Sequence, residues 1–227
     1  MASGVPASGV TEPSNSTFNQ LKSRVAASVG MGGQQRALDL AGDGINNGIR
    51  RVNSKLWSWL LTTADITTVA DQANYNEDDS VPGDFKAPRS MLLLDSSSNE
   101  SSRLVWLLPK DFDNLWLDRR NSGEPRTYTV HNIHDNRTLS LSAAPTAKWV
   151  AAYPTMRLRY YKRLGLYSGN ETTQIPVEAE LMIEYFARAE VASVVRPGAL
   201  SRYESMWRDQ ERELRSAEMR WQVGDFD

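Results

Sequence analysis

Residues 44–68, GINNGIRRVNSKLWSWLLTTADITT, contain the change of hydrophobic spacing that decides the fold class. Apolar residues recur at helical spacing from Leu38 to Leu60, which predicts one helix over residues 34–61. From Thr62 onward, β-branched residues replace this spacing, as is typical of a strand. The chain therefore passes here from a helical region to a β-rich region.

Three glycines, Gly42, Gly44 and Gly48, lie inside the predicted helix. Each weakens a helix by about 1 kcal/mol relative to alanine. Their clustering indicates either that another backbone packs closely there or that the helix bends. Trp57 and Trp59 follow, and we interpret both as core residues, with an interface role as the alternative.

The segments before this helix predict a tail and a short helix. Residues 1–14 are small and polar, and we expect a mobile N-terminal tail. Residues 18–29 have helical spacing, with Ser16 or Thr17 as the N-cap and a Gly-rich hinge, residues 30–33, as the stop.

Residues 63–174 predict a β-rich module of about six strands. Short β-branched, aromatic or alternating segments are separated there by Asp, Asn, Ser, Gly and Pro. The strand-like segments are 62–69, 90–94, 103–108, 126–132, 138–143, 148–152 and 156–166, and residues 109–116 predict a short helix with proline near its start.

Helical spacing returns in two segments after Pro176. The first has an apolar stripe, and the second, residues 199–222, has an apolar seam of 3–4 spacing among Arg and Glu residues. Gly224 is expected to uncouple the following residues from this helix. The stripe consists of Val177, Leu181, Tyr185 and Ala189, with Met182 and Phe186 beside them, and the seam of Leu200, Tyr203, Trp207, Gln210, Leu214, Ala217 and Trp221.

Together these segments predict an α+β protein with two domains. An α-helical bundle domain is built from both termini, and an antiparallel β-rich domain is inserted into it. The predicted parts are an N-terminal tail, 1–14; the helical domain, 15–62 and 175–222; the β-rich insertion, 63–174; and a C-terminal tail, 223–227.

Composition excludes several classes of protein. The 227 residues contain no cysteine, which excludes disulfides, a thiolate nucleophile and thiolate metal sites. The net charge of −2 argues against a general nucleic-acid binder, which carries a basic excess. No secretory signal and no run near the ~18 apolar residues of a membrane span occurs, so we expect a soluble protein made in a cytosol.

The sequence predicts no catalytic residue, metal site or cofactor, and hence no enzyme. His131 and His134 are interpreted as surface or hairpin residues, with metal ligation as the alternative. The carboxylates at 78–79 and 111–113 lie near no recognisable nucleophile or phosphate loop. No Gly-x-Ser-x-Gly elbow is present in the sequence.

The run RLRYYKR, residues 157–163, interleaves cations and aromatic rings, as nucleic-acid sites do. Its alternation is that of a strand, so a charged outer face or a subunit contact is the favoured interpretation. One predicted face carries Arg157, Arg159 and Tyr161, and the other carries Leu158, Tyr160 and Lys162.

Four stretches together resemble the head-to-tail adaptor proteins of tailed bacteriophages. They are residues 44–68, quoted above; LPKDFDNLW, 108–116; PTMRLRYYKR, 154–163; and LSRYESMWRDQERELRSAEMRW, 200–221. The resemblance is greatest to the longer adaptor and tail-tube proteins of short-tailed phages, which carry a β domain between helices.

The resemblance implies a structural protein of the virion neck. It implies a closed homo-oligomeric ring of twelve copies, docked under the portal protein, that continues the DNA channel toward the tail. The helical domain then packs side by side in the ring and against the portal, and the β domain faces the next tail or nozzle protein. The C-terminal segment reaches onto the portal.

Two groups of residues are candidates for these contacts. Large apolar residues near the C-terminus, Trp221, Val223 and Phe226, are predicted to bind the portal, because apolar anchors on a terminal segment are typical of segments that order on binding. The last helix presents Tyr203, Trp207 and Leu214 as ring-interface or packing residues.

A carbohydrate- or receptor-binding β module on a helical stalk is the alternative function. It requires an exposed aromatic platform, for which Trp106, Trp116 and Trp149 are the candidates. A phage-encoded hydrolase is a third possibility, for which no site is visible in the sequence.

Overall fold

The computed structural model describes residues 16–76, 81–116, 121–132 and 136–224, with the backbone alone at Glu178 and at residues 220–224. The predicted N-terminal tail lies outside these residues. Internal contacts divide the chain into two compact units. The helical unit comprises the described part of 1–59 and 164–227, and the sheet unit comprises the described part of 60–163.

The described residues form an α+β structure of six α-helices and nine strands. The helices are α1 Phe18–Ser28, α2 Gln35–Asn53, α3 Pro109–Leu115, α4 Ala147–Ala152, α5 Val177–Val195 and α6 Leu200–Gly224. The strands are β1 Leu61–Thr67, β2 Asn74–Asn76, β3 Phe85–Leu94, β4 Glu100–Trp106, β5 Ser122–Gly123, β6 Thr127–His131, β7 Thr138–Leu141, β8 Ala144–Pro145 and β9 Thr155–Lys162.

Helix α1 begins at Thr17, one of the two N-caps that the sequence predicts, and the structure shows a capping box there. The Thr17 hydroxyl accepts the backbone N–H of Gln20 at 3.3 Å, and the Gln20 side chain accepts the Thr17 N–H at 2.8 Å. This arrangement satisfies two of the donors that a helix N-terminus leaves open. Gly30 follows the helix with a φ of 80°, a conformation that favours glycine.

Helix α2 is shorter than predicted, because it ends at Asn53 rather than near residue 61. The Asn53 side chain bonds the backbone of Leu164 in both directions, at 2.8 and 2.9 Å. The Trp57 indole N–H donates to the Val52 carbonyl at 3.2 Å, which adds a second donor to an acceptor at the helix end that the Lys55 N–H also binds. A 3₁₀ turn, Ser58–Leu60, then leads into β1.

Glycines in α2 permit close packing against α5. Close packing was one of the two interpretations of these glycines in the sequence. A Cβ at Gly44 would lie 3.0 Å from the Ala187 Cα, and one at Gly48 would lie 3.1 Å from the Ile183 Cγ2. Any larger side chain at Gly44 would push the two backbones apart. The glycines therefore mark a helix–helix contact.

The predicted apolar stripe of α5 is buried only in part: Ala189 and the neighbouring Met182 are buried, but the first two residues of the stripe are not, which corrects the sequence interpretation. Val177 is 60% exposed and Leu181 is 41% exposed, while Tyr185 is half-buried. The face that packs against α2 carries Ala187 and Ile183, whose atoms lie beside Gly44 and Gly48. The buried apolar residues of α5 include Ala179, Met182, Ile183, Ala187 and Val191.

Helix α6 buries a slightly different seam from the predicted one. Tyr203 and Trp207 are buried as expected, but the next buried residue is Glu211 and not Gln210. The carboxylate of Glu211 is drawn inward by cations of α2, described below. The helix also continues to Gly224, two residues beyond its predicted end.

The sheet unit is built around a seven-stranded sheet in the order β1-β9-β3-β4-β6-β7-β2. Most neighbours are antiparallel, as predicted, but β4 pairs with β6 in parallel, and so does β5 with β8. The parallel pair β4–β6 arises because α3 carries the chain back between the two strands. Apolar side chains of the large sheet and Trp149 form one buried cluster.

Residues 148–152, predicted as a strand, belong to helix α4. Thr146 caps this helix, because its hydroxyl accepts the Trp149 N–H at 3.2 Å. Three alanines within 147–152 favour the helix, and the cap decides where it begins.

The segment after β9 lies with the helical unit, although the sequence places residues up to 174 in the β-rich insertion. Asn46 on α2 bonds the Tyr167 backbone in both directions, at 2.9 and 3.0 Å, just as Asn53 bonds Leu164. The two asparagines are seven residues apart and so share one helix face. They hold the returning chain along α2.

Replacing Gly44 by alanine should lower the free energy of unfolding of the helical unit by about 1–3 kcal/mol, because the new methyl group meets backbone atoms of α5. Urea unfolding followed by circular dichroism measures this change. Gly42→Ala is the matched control, since its Cβ would meet mainly the flexible Lys22 side chain, 3.3 Å from its Cδ. Equal stability of the two variants would contradict the close-packing interpretation.

Candidate assembly surfaces

Helix α5 has apolar residues on both its buried and its exposed side. We call Val177, Leu181 and Tyr185 the outer row of α5; they are spaced four residues apart and so lie on one face. Two of the three are exposed, and the inner face is covered by α2. Adjacent exposed apolar side chains on a helix surface often mark a protein contact, so the outer row is a candidate contact for another chain.

A buried carboxylate ties α1 to α5 beside this row. Glu184 is paired with Arg24 of α1 and, at 2.7 Å, with Arg188 of α5. Burial raises the pKa of Glu184, and the charges of Arg24 and Arg188 oppose that rise. Arg24 also binds Glu180, one turn earlier on α5. The ion pairs thus compensate for the desolvation of a charge inside the helical unit.

The predicted ring-interface or packing residues of α6 are occupied inside the chain's own helical unit. The Tyr203 hydroxyl donates to the Ser28 carbonyl at 2.8 Å. The Trp207 ring lies edge-on to Phe186 at 5.6 Å, and the Arg51 guanidinium lies 4.2 Å from its centroid. Leu214, the third predicted residue, is half-buried. Two of the three therefore pack intramolecularly, and a ring contact stays a prediction.

Two glutamates of α6 bind α2 and the segment that follows it. Glu211 pairs with Arg51 at 3.3 Å and with Lys55. Glu218, seven residues later on the same face, accepts the backbone N–H of Ser58 at 2.9 Å and its hydroxyl at 2.7 Å. Sequence reasoning missed both residues, although their spacing of seven could have indicated a shared partner.

The predicted portal-binding residues lie at the end of α6 or beyond the described chain. Trp221 and Val223 belong to the last turn of the helix, where the backbone alone is described. Phe226 lies outside the described residues. Their portal contact stays a prediction.

The charged face predicted for residues 157–163 is confirmed in β9. Its side chains alternate: Leu158 and Tyr160 are buried, and Arg157 and Arg159 point outward. Each arginine has a carboxylate partner on a neighbouring strand. The Arg157 guanidinium bonds both oxygens of Asp65, at 2.8 and 2.9 Å, and lowers the pKa of that carboxyl by this hydrogen bonding.

Arg159 completes this pattern with an ion pair to Glu100 at 2.8 Å. Both cations of the strand's outer face are therefore neutralised within the sheet unit. A paired arginine is a poor phosphate ligand, because it must give up its carboxylate first. Arg157 and Arg159 therefore contribute to the structure of the sheet rather than to an open anion site.

The three tryptophans proposed as an aromatic platform differ in exposure. Trp149 is only 5% exposed and lies edge-on to Tyr153 at 5.3 Å. Trp116 is half-buried, and Trp106 is 40% exposed. Only Trp106 of the three offers a largely open ring, which gives little support to a carbohydrate-binding platform.

Within the part of the chain that the structure describes, no three carboxylate or histidine side chains gather as metal ligands would. His131 lies 3.8 Å from an Asp113 carboxylate oxygen, by its Nε2, and edge-on to Phe112. His134 lies outside the described residues. Over the same described residues, no helix has the length and apolar character of a membrane span.

The chain was compared with known proteins. The sequence model of the SU10 adaptor protein family matches residues 16–224, which is nearly the whole chain. The chain belongs to the SU10 adaptor protein family. A comparison with curated proteins found no match.

Membership makes this SU10 adaptor a structural adaptor protein of a phage. The family implies a virion component that interacts with other head and tail proteins. It also supports the prediction of a non-enzymatic protein. The resemblance in the sequence was therefore right at the level of a phage adaptor.

Removing the two carboxylates that neutralise β9 should create an anion-binding surface on this SU10 adaptor. We expect the double variant Asp65→Asn/Glu100→Gln to bind duplex DNA about tenfold more tightly than the unchanged protein at low salt, with a strong loss as salt is raised. Fluorescence anisotropy with labelled DNA measures the affinity of each variant for the duplex. The control is Asp39→Asn, a change of the same kind in α2; equal DNA binding by both variants would refute the role of the ion pairs.

Proposed function

We propose that this SU10 adaptor forms a closed ring in the phage neck, below the portal protein, and joins the head to the tail. The ring contains twelve copies, the number that the resemblance to head-to-tail adaptors implies. Family membership supports an adaptor in contact with head and tail proteins. A head-to-tail contact between identical copies makes a ring when its rotation closes.

The observation that carries this proposal is the outer row of α5. Two of its three apolar side chains, Val177 and Leu181, are exposed although α5 also buries Ala179, Ile183 and Ala187 against its own chain. Burial of two such side chains favours association by about 1.5–3 kcal/mol each. A neighbouring copy in the ring covers the row, and the buried inner face keeps α5 rigid for that contact.

Replacing Leu181 by aspartate should prevent ring formation without unfolding the protein, because the side chain is exposed in the single chain and a charge opposes its burial in a contact. Mass photometry of the purified protein, alone and with portal protein, should show an annulus for the unmodified chain and free subunits for Leu181→Asp. The control on the same helix is Val194→Asp, an exposed apolar residue away from the row. A Leu181→Asp protein that still forms rings, or an unmodified protein that stays monomeric with portal, would contradict the proposal.

The charge pattern supports a ring whose channel lets DNA pass. The net charge is −2, and the outward arginines of β9 are paired with carboxylates. A channel that released DNA slowly would impede its passage, so the pairing of the β9 arginines suits this role.

We also propose that the C-terminal segment docks onto the portal, with Trp221, Val223 and Phe226 as apolar anchors. Trp221 and Val223 belong to the last turn of α6. Earlier turns of α6 are bound by Glu211 to Arg51 of α2 and by Glu218 to Ser58, which follows α2. A rigid helix thus carries the anchors to its end. The sheet unit is then available to the next tail or nozzle protein.

Deleting residues 222–227 together with a Trp221→Ala change should weaken portal binding by more than tenfold, since each large anchor contributes about 1–3 kcal/mol. The circular dichroism spectrum should stay that of the unmodified protein. Surface plasmon resonance on immobilised portal measures the affinity, and Gln222→Ala serves as the polar control. Portal binding that survives the deletion would show that the anchor lies elsewhere.

We further propose that the helical segments from both ends form one bundle domain into which the β-rich domain is inserted. The division into a helical unit and a sheet unit supports this organisation. Residues 60–163, expressed alone, should fold cooperatively on thermal unfolding, because they contain their own buried cluster. A product without a cooperative transition would argue for a single domain.

A further inference from the structure

Strand β4 is paired with β3 and with β6 over different parts of its length. It pairs with β3 between Glu100 and Leu104, but with β6 only at Val105 and Trp106. The N–H of Val105 donates toward the β6 side, at 3.0 Å, and so does that of residue 107. The earlier residues of β4 have no such neighbour within the described residues.

Backbone groups two residues apart in a strand point to the same side. The N–H and C=O groups of Arg103 therefore point to the side on which Val105 bonds the β6 segment. Strand β6 begins only at Thr127, opposite Val105. Among the described residues, β4 thus presents an open edge at Arg103, and open strand edges are templates for a further strand.

A groove of about 450 Å³ lies beside this edge. Arg103 and Leu104 of β4 line one side, and Trp149 and Tyr153, in and just after α4, line another. Leu104 and Trp149 belong to the buried cluster of the sheet unit, so the groove reaches apolar surface. We call this feature the β4 groove.

The charge of the β4 groove is positive. Arg103, Arg126 and Lys148 line it and are exposed, and none forms an ion pair within the described residues. Glu124 is the single carboxylate among the described residues that line it. These three cations therefore differ from the outward arginines of β9, which are paired with carboxylates.

We propose that the β4 groove binds an extended acidic segment of a tail protein, which adds to the open edge of β4 as a further strand. Backbone hydrogen bonds to Arg103 supply a binding mode that is independent of sequence. Carboxylates on one side of the added strand meet Arg103, Arg126 and Lys148, and apolar side chains on its other side reach Trp149. The assignment of the partner as a tail protein rests on the proposed function. The extended, acidic character of the bound segment rests on the groove alone.

The probe is a fluorescein-labelled eight-residue peptide of alternating glutamate and valine, added to the full-length protein at low salt. We expect binding in fluorescence anisotropy, and about tenfold weaker binding to Arg103→Glu and to Lys148→Glu. Hydrogen exchange of the Arg103 amide should slow when the peptide is added. Lys110→Glu, the same charge change on α3 and outside the groove, should bind the peptide as the unmodified protein does.

Two further probes separate strand addition from charge alone. The same peptide with N-methyl groups on alternate residues keeps its charge but loses the donors of one edge, and should bind at least about tenfold more weakly. A peptide of alternating lysine and valine should not bind. Equal binding of the methylated or the basic peptide, or no loss in either charge-reversed variant, would overturn the proposal.

Other occupants of the groove are also tested. Tighter binding of single-stranded DNA, or of a peptide of residues 221–227, than of the acidic peptide would overturn the assignment to a partner protein. These measurements use the isolated chain. Peptide binding without ring formation would contradict only the proposed ring. Ring formation without peptide binding would contradict only the proposed role of the β4 groove.

Discussion

The close approach of α2 and α5 at Gly44 and Gly48 is the constraint on which the helical unit depends. A methyl group on either glycine would lie only 3.0–3.1 Å from atoms of Ala187 or Ile183, so only that side of α5 fits against α2. The resulting rotation of α5 leaves its outer row exposed. It also places Phe186 where Trp207 of α6 packs on it. One steric requirement therefore sets both the core and the proposed ring contact.

Polar groups hold the rest of the helical unit in place, in a chain without cysteine. Asn46 and Asn53 bind the returning backbone along α2, and Glu211 and Glu218 bind α6 to the same helix and its end. Buried or half-buried polar groups are costly unless paired, so each of these residues specifies one arrangement. Helix α2 is consequently the element to which both later segments are attached.

The two units offer different kinds of surface to other virion proteins. The helical unit exposes an apolar row, which suits a permanent contact between identical copies. The sheet unit exposes paired charges on β9 and an open strand edge beside the exposed cations Arg103 and Lys148. An adaptor must join unlike partners, and one chain with chemically distinct surfaces can do so without competition between them.

Local spacing and motif content were enough to predict the α+β class, an N-cap at Ser16 or Thr17, the alternation of β9 and the kinship with phage adaptors. For the α2 glycines the sequence left two interpretations open, close packing of another backbone and a bend in the helix. Residues 148–152 were predicted as a strand although their alanines and the Thr146 cap are local signals of a helix. Contacts within the folded chain were needed to show which face of α5 is buried and that β4 pairs in parallel with β6. These features depend on partners distant in sequence, and an apolar row looks the same in the sequence whether its own chain or another covers it.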